Sequence, residues 1–362
     1  MIFGLAFPNG LWYIEHLKMI LKFGGRCSVK RWMTLLLSAL LLLGLAACGG
    51  NGPAEDTGPH KLKVVATVFP AYDFARAAGG EWAEVTLLLP PGAESHSYEP
   101  TPADILAVRD CDLFLYLGGE SDAWVDTILE AVEPTGAVLR MIDCVELLEE
   151  ETVEGMQAEL GHHHEDHEDH DHEEGEGHDH ALGQVMEADE HVWTSPKNAA
   201  AITRAIGGEL AALDPAHRAD YEANTADYAG QLDRLDETFR AFFDSLEDRT
   251  IVFGDRFPLR YFAEEYDLDY YAAFPGCGTQ TEPSAATIAF LTDKVRTEGI
   301  STVWYIEFSN HLVADSIAEA TGTRTALFHT CHNISREDLA AGATYLSLME
   351  GNLDRLRTAM AP

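Results

Sequence analysis

The sequence is short of basic residues. Only 24 lysines and arginines stand against 61 aspartates and glutamates, and the formal net charge is −37. A surface with this balance repels phosphate backbones and anionic lipid headgroups. The composition therefore argues against nucleic acid or an anionic membrane surface as a partner. Part of the imbalance is local, because 17 of the carboxylates lie between Glu149 and Glu190.

Long hydrophobic segments are also scarce. The apolar run Met33–Ala46 is too short to span a membrane, and the segment before it is basic, with Lys18, Lys22, Arg26, Lys30 and Arg31. A basic region, a short apolar core and small residues before Cys48 are typical of a secretory signal. The Leu-Ala-Ala-Cys sequence resembles the lipobox of bacterial lipoproteins, which implies that Cys48 is lipidated. We therefore predict a signal peptide over 1–47 and a lipidated tether over 48–60.

The translation start is less clear, because residues 1–18 do not have the basic character of a signal start. Met19 and Met33 are both alternatives.

Cysteines are few, six in all. Cys27 is lost with the signal and Cys48 is assigned to lipidation, which leaves four. An even number in an exported protein permits disulfides. The simplest pairing lies within each half of the chain, Cys111 with Cys144 and Cys277 with Cys331, and four free thiols remain the alternative.

Short β-branched or apolar runs alternate with helical stretches along the mature chain. The predicted strands are Leu62–Val68, Glu84–Leu89, Cys111–Leu117, Ala137–Ile142, Thr250–Gly254, Asp269–Phe274, Thr302–Glu307 and Thr325–Phe328. The predicted helices are Thr101–Arg109, Lys197–Leu213, Pro215–Leu246, Ser284–Glu298, His311–Thr321 and Thr344–Ala359. This alternation predicts the α/β class, with mainly parallel sheets covered by helices.

The helix over Pro215–Leu246 carries a one-sided apolar stripe, and it is longer than most helices inside a small domain. We interpret it as a rigid spine over 215–247. It would join an N-terminal α/β lobe over 61–214, which includes an acidic loop over 149–190, to a similar C-terminal lobe over 248–362. Two such lobes form a cleft in which a small ligand can bind.

The segment Gly161–His180 interleaves histidines with carboxylates. It contains eight of the sixteen histidines: His162, His163, His164, His167, His170, His172, His178 and His180. Such a tract cannot form a core, and imidazole is a common ligand of zinc and related metals. We predict a surface insertion with weak, rapidly exchanging metal sites.

In the mature chain, few histidines remain outside the tract. His60 and His217 are expected at the surface, and His311 is expected either to cap a helix or lie at the surface, or else to bind metal. The other four are His96, His191, His329 and His332. Three of their loops can deliver imidazole to one cleft, because loops at the carboxyl ends of parallel strands line the ligand crevice.

Three segments resemble the zinc and manganese substrate-binding proteins of ABC transporters. They are Gly92-Ala-Glu-Ser-His-Ser-Tyr-Glu-Pro-Thr-Pro, Asp189-Glu-His-Val-Trp-Thr-Ser-Pro-Lys-Asn-Ala and Ala343-Thr-Tyr-Leu-Ser-Leu-Met-Glu-Gly-Asn-Leu. An acidic His-rich loop precedes the second segment, as in the zinc-type members. The resemblance covers the mature chain. It implies two α/β lobes joined by a long helix, a metal held between them, and delivery to a membrane permease.

The resemblance implies His96 and His191 as metal ligands. The third family position falls on Arg256, which cannot bind a cation, and Asp255 beside it is the nearest oxygen donor. The fourth aligns with His332, and His329 is its rival. Further oxygen candidates are Glu282 and Glu307. Three imidazoles with at most one carboxylate favour zinc over manganese.

The leading hypothesis is a non-catalytic zinc receptor of an ABC importer, monomeric and lipid-anchored to the outer face of the bacterial cytoplasmic membrane. A manganese receptor and a surface metal buffer or adhesin that acts in cell adhesion are the alternatives. A metallohydrolase with Asp255 or Glu282 as general base is disfavoured, because the sequence has no His-Glu-x-x-His motif.

Overall fold

The computed structural model describes residues 61–93, 98–119, 122–156, 188–276 and 283–360. The first lobe alternates strands with helices. Its elements are β1 Leu62–Ala66, α1 Phe69–Gly79, β2 Ala83–Leu87, α2 Pro102–Asp110, β3 Leu113–Tyr116, α3 Ala123–Ala131 and β4 Ala137–Arg140. The four strands form one parallel sheet in the order β2-β1-β3-β4.

Two long helices follow, α4 over Pro196–Leu213 and α5 over Arg218–Asp244. Helix α5 has 27 residues and is therefore about 40 Å long at 1.5 Å per residue. Its predicted apolar stripe is buried at Tyr221, Tyr228, Leu232, Leu235 and Phe239. This helix lies within the predicted spine.

The second lobe repeats the arrangement. Its elements are β5 Ile251–Phe257, α6 Arg260–Tyr266, β6 Tyr270–Pro275, α7 Ala285–Thr297, β7 Thr302–Ile306, α8 Leu312–Thr321, β8 Arg324–Phe328, α9 Arg336–Ala340 and α10 Tyr345–Met360. Its parallel sheet has the order β6-β5-β7-β8, which is the order of the first lobe. The predicted α/β class with two similar lobes is confirmed.

The main difference from the predicted strands lies in β5. The sequence predicts that this strand ends at Gly254, but it continues to Phe257, with a shift of register between Phe253 and Arg256. Asp255 and Arg256 therefore belong to the strand and not to the loop after it.

One hydrophobic cluster extends through both lobes. It includes Leu62 of β1, Leu232 of α5, Phe328 of β8 and Leu353 of α10. A buried carboxylate joins the same parts. Asp73 of α1 accepts a hydrogen bond from the Tyr228 hydroxyl at 2.6 Å and one from the backbone amide of Tyr345, at the start of α10, at 2.9 Å. The lobes thus share the largest hydrophobic cluster, and each lobe also has a smaller one of its own.

The predicted pairing of Cys111 with Cys144 is wrong, because both carry free thiols. Cys111 precedes β3 and Cys144 follows β4, and these strands run parallel. The two cysteines therefore lie at opposite ends of the sheet, about 13 Å or more apart along the strands, too far for a disulfide. Cys331 also has a free thiol, so the pairing with Cys277 is absent as well; Cys277 itself lies outside the described residues.

Several predicted features lie outside the described residues. They are the signal peptide over 1–47, the tether over 48–60 with Cys48, His96, the histidine tract Gly161–His180 and Glu282. Within the described ranges, the helices are all too short or too polar to cross a membrane.

Candidate metal centre

His191 lies in a buried turn that leads into α4, with only 2% of its surface exposed. Its Nδ1 lies 3.1 Å from Oδ1 of Asp189, and its backbone amide donates to the same oxygen at 2.8 Å. A carboxylate only accepts, so Nδ1 carries the proton and the lone pair is on Nε2. A histidine held in this way by a carboxylate is the arrangement that metal sites use to orient a ligand.

His332 follows β8 in the second lobe. Its ring centre lies 6.1 Å from that of His191 and 5.2 Å from that of Trp193. Two imidazoles, separated by 141 positions in the chain, therefore meet beside one indole. This is the pair of predicted ligands that the structure brings together.

His329 differs from His191 in the hydrogen-bond partner of its Nδ1 atom. Its Nδ1 accepts a hydrogen bond from the backbone amide of Cys331 at 3.0 Å. Oε1 of Glu307 lies 3.6 Å from the same nitrogen, too far for a hydrogen bond, and both Glu307 oxygens accept from Thr330 instead. Nδ1 therefore uses its lone pair, and the proton of a neutral ring is on Nε2.

The main chain of His329 is held as well. Asn352 of α10 accepts from its backbone amide at 2.8 Å and donates to its carbonyl oxygen at 2.7 Å. His329 is thus fixed as part of the turn after β8.

The carboxylate of Asp255 accepts hydrogen bonds from backbone amides of the sheet. One carboxylate oxygen accepts from the backbone amide of Arg256 at 2.8 Å, and the other from the amide of Ile306 at 3.3 Å. Ser309 supplies a further hydrogen bond, and burial raises the pKa of this carboxyl group. These bonds connect β5 to the end of β7.

Counted over the described ranges alone, no three His, Cys, Asp or Glu side chains form a metal-binding group. His191 and His332 thus make an incomplete set in the described part of the chain.

Sequence reasoning missed two buried carboxylates, one of which precedes His191 in the chain. Asp122 and Glu190 are both almost fully buried, with 2% and 1% of their surface exposed. Asp122 accepts from the Leu117 amide at 2.6 Å, and burial together with the charge of Glu190 raises its pKa to about 7. Glu190 packs directly against Gly119, where a Cβ atom would overlap its carboxylate. The sequence signal for Glu190 is its place in Asp-Glu-His, directly before the predicted ligand.

The Thr330–Asn333 loop connects the second lobe to the first. The Trp193 indole donates to the carbonyl oxygen of Thr330 at 2.9 Å, and the Phe69 amide donates to that of His332 at 3.3 Å. The side chain of Asn333 reaches the turn after β2 in the first lobe. This loop therefore bridges the lobes beside the histidine pair.

Residues 64–359 match the family model described as "Zinc-uptake complex component A periplasmic". The chain belongs to this family. The resemblance drawn from the three sequence segments is thereby confirmed, and the family is one of transport components.

Two curated relatives illustrate the range of lengths among similar proteins. The zinc-binding lipoprotein AdcA of Streptococcus pneumoniae serotype 4 is 30% identical over 333 residues, which are 90% of this chain and 60% of AdcA. The high-affinity zinc uptake system protein ZnuA of Bacillus subtilis is 31% identical over 338 residues, 91% of this chain and 98% of that protein. This chain thus spans about three fifths of AdcA and nearly all of the B. subtilis protein.

Solved structures agree with this assignment. The Zn(II)-bound ZnuA-like domain of S. pneumoniae AdcA has 26% identity and a TM-score of 0.64, and the match covers 83% of this chain and all of that domain. The metal-dependent lipoprotein YcdH of B. subtilis has 26% identity and a TM-score of 0.65, again over 83% of this chain and all of the other. The two-lobe fold is therefore that of this family.

Proposed function

We propose that this chain is the extracytoplasmic zinc receptor of an ABC importer. It binds Zn²⁺ in the cleft between its lobes and delivers the ion to a membrane permease, without catalysing a reaction. The observation that carries the proposal is the meeting of His191 and His332, which approach each other from the two lobes. A metal between them would bind to both lobes at once.

The proposed ligands are His96, His191 and His332, a set of three imidazoles that suits zinc better than manganese. The carboxylate of Asp189 supports His191 in this role, because it leaves Nε2 with the lone pair. His329 is proposed as a structural residue, since its Nδ1 accepts a backbone hydrogen bond. Asp255 is not proposed as a ligand, because its oxygens accept from two backbone amides.

Membrane anchoring through a lipidated Cys48 and a monomeric state belong to the same proposal. The names of the relatives support the anchor and the metal, since AdcA is called a zinc-binding lipoprotein and the B. subtilis protein a zinc uptake system protein. The tract Gly161–His180 would collect zinc at weak sites near the cleft.

The test is a zinc titration of the full chain against a competing chelator. We expect one tight site per chain in addition to weak sites in the tract. His191→Ala and His332→Ala should each weaken the tight site by about 100-fold or more, beyond the 10- to 100-fold that loss of an outer-shell partner costs. His217→Ala is the matched control, because its ring stacks on Trp82 and contacts Asp214 away from the pair.

Two results would contradict the proposal. If deletion of residues 161–180 removes all tight zinc, the chain is a metal buffer and the cleft is only a scaffold. If manganese displaces zinc from the tight site at equal concentration, the receptor is of the manganese type.

A further inference from the structure

The turn after β2 is held from the opposite lobe. Residues Pro90 to Ala93 form a tight turn in which the Ala93 amide donates to the carbonyl oxygen of Pro90 at 2.9 Å. Gly92 has φ +80°, and Pro91 precedes it, which is the residue order of a type II turn. This Pro90–Ala93 turn leads into the segment that contains His96.

Asn333 donates to this turn twice. Its Nδ2 lies 2.9 Å from the carbonyl oxygen of Pro90 and 2.8 Å from that of Ala93. Its Oδ1 accepts from the Ile334 amide at 2.7 Å, so the orientation of the amide group is determined by three partners. Only 3% of the residue is exposed. Both hydrogens of one side-chain amide are thus used on the other lobe.

The second lobe makes two further contacts with the first lobe near the Pro90–Ala93 turn and His332. Phe308 lies against Gly92, where an added Cβ atom would be 4.0 Å from its ring. One residue before Asn333, the carbonyl oxygen of His332 accepts from the Phe69 amide. The Asn333 hydrogen bonds thus connect the loop that carries His332 to the Pro90–Ala93 turn.

We propose that Asn333 is a positioning residue of the zinc site: its amide holds the Pro90–Ala93 turn of one lobe at a set distance from His332 of the other. This inference rests on the proposed function. Asn333 does not contact the metal. It keeps the Pro90–Ala93 turn next to the loop that carries His332, and it slows zinc release.

The test measures zinc release from the full chain after addition of excess chelator, where the slow phase reports the cleft. Asn333→Leu keeps the approximate size of the side chain and removes both donors, together with the oxygen that accepts from the Ile334 amide. Loss of two hydrogen bonds to partly buried carbonyl oxygens should make the slow phase about tenfold faster or more, which corresponds to about 1.4 kcal/mol. Asn224→Leu is the matched control, because Asn224 donates to a single backbone oxygen, that of Ala78, away from the cleft.

A second readout separates positioning from general stability. Zinc raises the Tm of any protein that binds it only when folded. If Asn333 positions the site, the rise in Tm caused by zinc should be smaller in Asn333→Leu than in the wild type. If it only stabilises the fold, the Tm should fall equally with and without zinc.

Asn333→Asp is the second variant, in case the leucine variant does not fold. It also removes both donors, and its carboxylate is repelled by the carbonyl oxygens of Pro90 and Ala93 that the amide contacts. We expect faster release here as well, and release that is slower than or equal to that of the wild type would overturn the inference. Tight zinc in the wild type with unchanged release in both variants overturns the inference alone. A wild type without a tight site overturns the proposed function and, with it, the inference.

Discussion

The turn around His191 in the first lobe and the turn around His329 in the second make an informative comparison. Both histidines are buried, both follow the sheet of their lobe, and each has a carboxylate nearby. At His191 the Nδ1 atom meets the Asp189 carboxylate, whereas at His329 it accepts from a backbone amide. One ring can therefore present a lone pair on Nε2, and the other carries a proton there. The hydrogen-bond partner of Nδ1 therefore decides which of the two histidines is suited to bind metal through Nε2.

The largest effect, on the free energy of unfolding, is expected from substitution of His329, the histidine proposed as structural. His329→Ala deletes the acceptor of the Cys331 amide and leaves a cavity, so we expect a loss of about 2–4 kcal/mol in the free energy of unfolding, with one tight zinc retained. Denaturant unfolding and zinc titration check this. His311→Ala, at an exposed histidine paired with Asp315, is the control and should stay within about 0.5 kcal/mol. Loss of the tight zinc in a folded His329→Ala protein would show that His329 is needed for metal binding and contradict its structural role.

Asp189→Asn changes the support of His191 without changing its size. The neutral amide can also accept from Nδ1, but it lacks the charge that strengthens the bond and fixes the tautomer. We expect zinc to bind about 10- to 100-fold more weakly, with a small change in stability. The measurement is chelator competition. Unchanged affinity would mean that the carboxylate has no part in orienting the ring.

The buried carboxylates Asp122 and Glu190 predict an unusual pH dependence of the free energy of unfolding. The folded-state pKa of Asp122, about 7, is above its ordinary value of 3.8. The folded state therefore holds a proton that the unfolded state has released, and this contribution to stability is lost as the pH rises from about 4 to 7. The slope is at most about 1.4 kcal/mol per pH unit. Glu190 is the charged group that faces Asp122.

The check is denaturant unfolding of the zinc-free protein at pH 5 and at pH 7. Asp122→Asn mimics the protonated acid, so the loss of stability between these values should be smaller than in the wild type. An equal loss in both proteins would show that other groups carry the dependence.

The smallest effect is expected at Cys331 in the second turn. Its thiol is fully buried, and burial raises its pKa far above the usual range. Cys331→Ala should therefore leave zinc release unchanged and cost about 1–1.5 kcal/mol of stability. Release kinetics and thermal unfolding test this. Faster release in the variant would make the thiol a candidate ligand and weaken the distinction between the two turns.

Much of the fold could be predicted because its signals are local. Each of the eight strands has a short apolar run of its own, and the long helix α5 carries a stripe of apolar residues at helical spacing. The bounds shifted where tertiary pairing extends an element, as at β5, whose continuation past Gly254 depends on β6.

The site was only partly predictable, because its decisive contacts are long-range. The amide of Asn333 meets the turn at Pro90 across 243 positions, and no local pattern shows this. The roles of His191 and His329 depend on single hydrogen bonds to neighbouring residues, and the histidine count does not reveal them. The disulfide pairing failed for a similar reason, since parallel strands place Cys111 and Cys144 at opposite ends of the sheet.

The buried carboxylate of Asp73 has a consequence for how the protein unfolds. It connects α1 of the first lobe to the start of α10, which follows the last strand of the second, and residues from His60 onward form one compact unit. Among the described residues, most of the buried apolar side chains belong to the cluster that both lobes share, and each lobe has only a small cluster of its own. Heating should therefore melt both sheets in a single cooperative transition, and an isolated half of the chain should not fold.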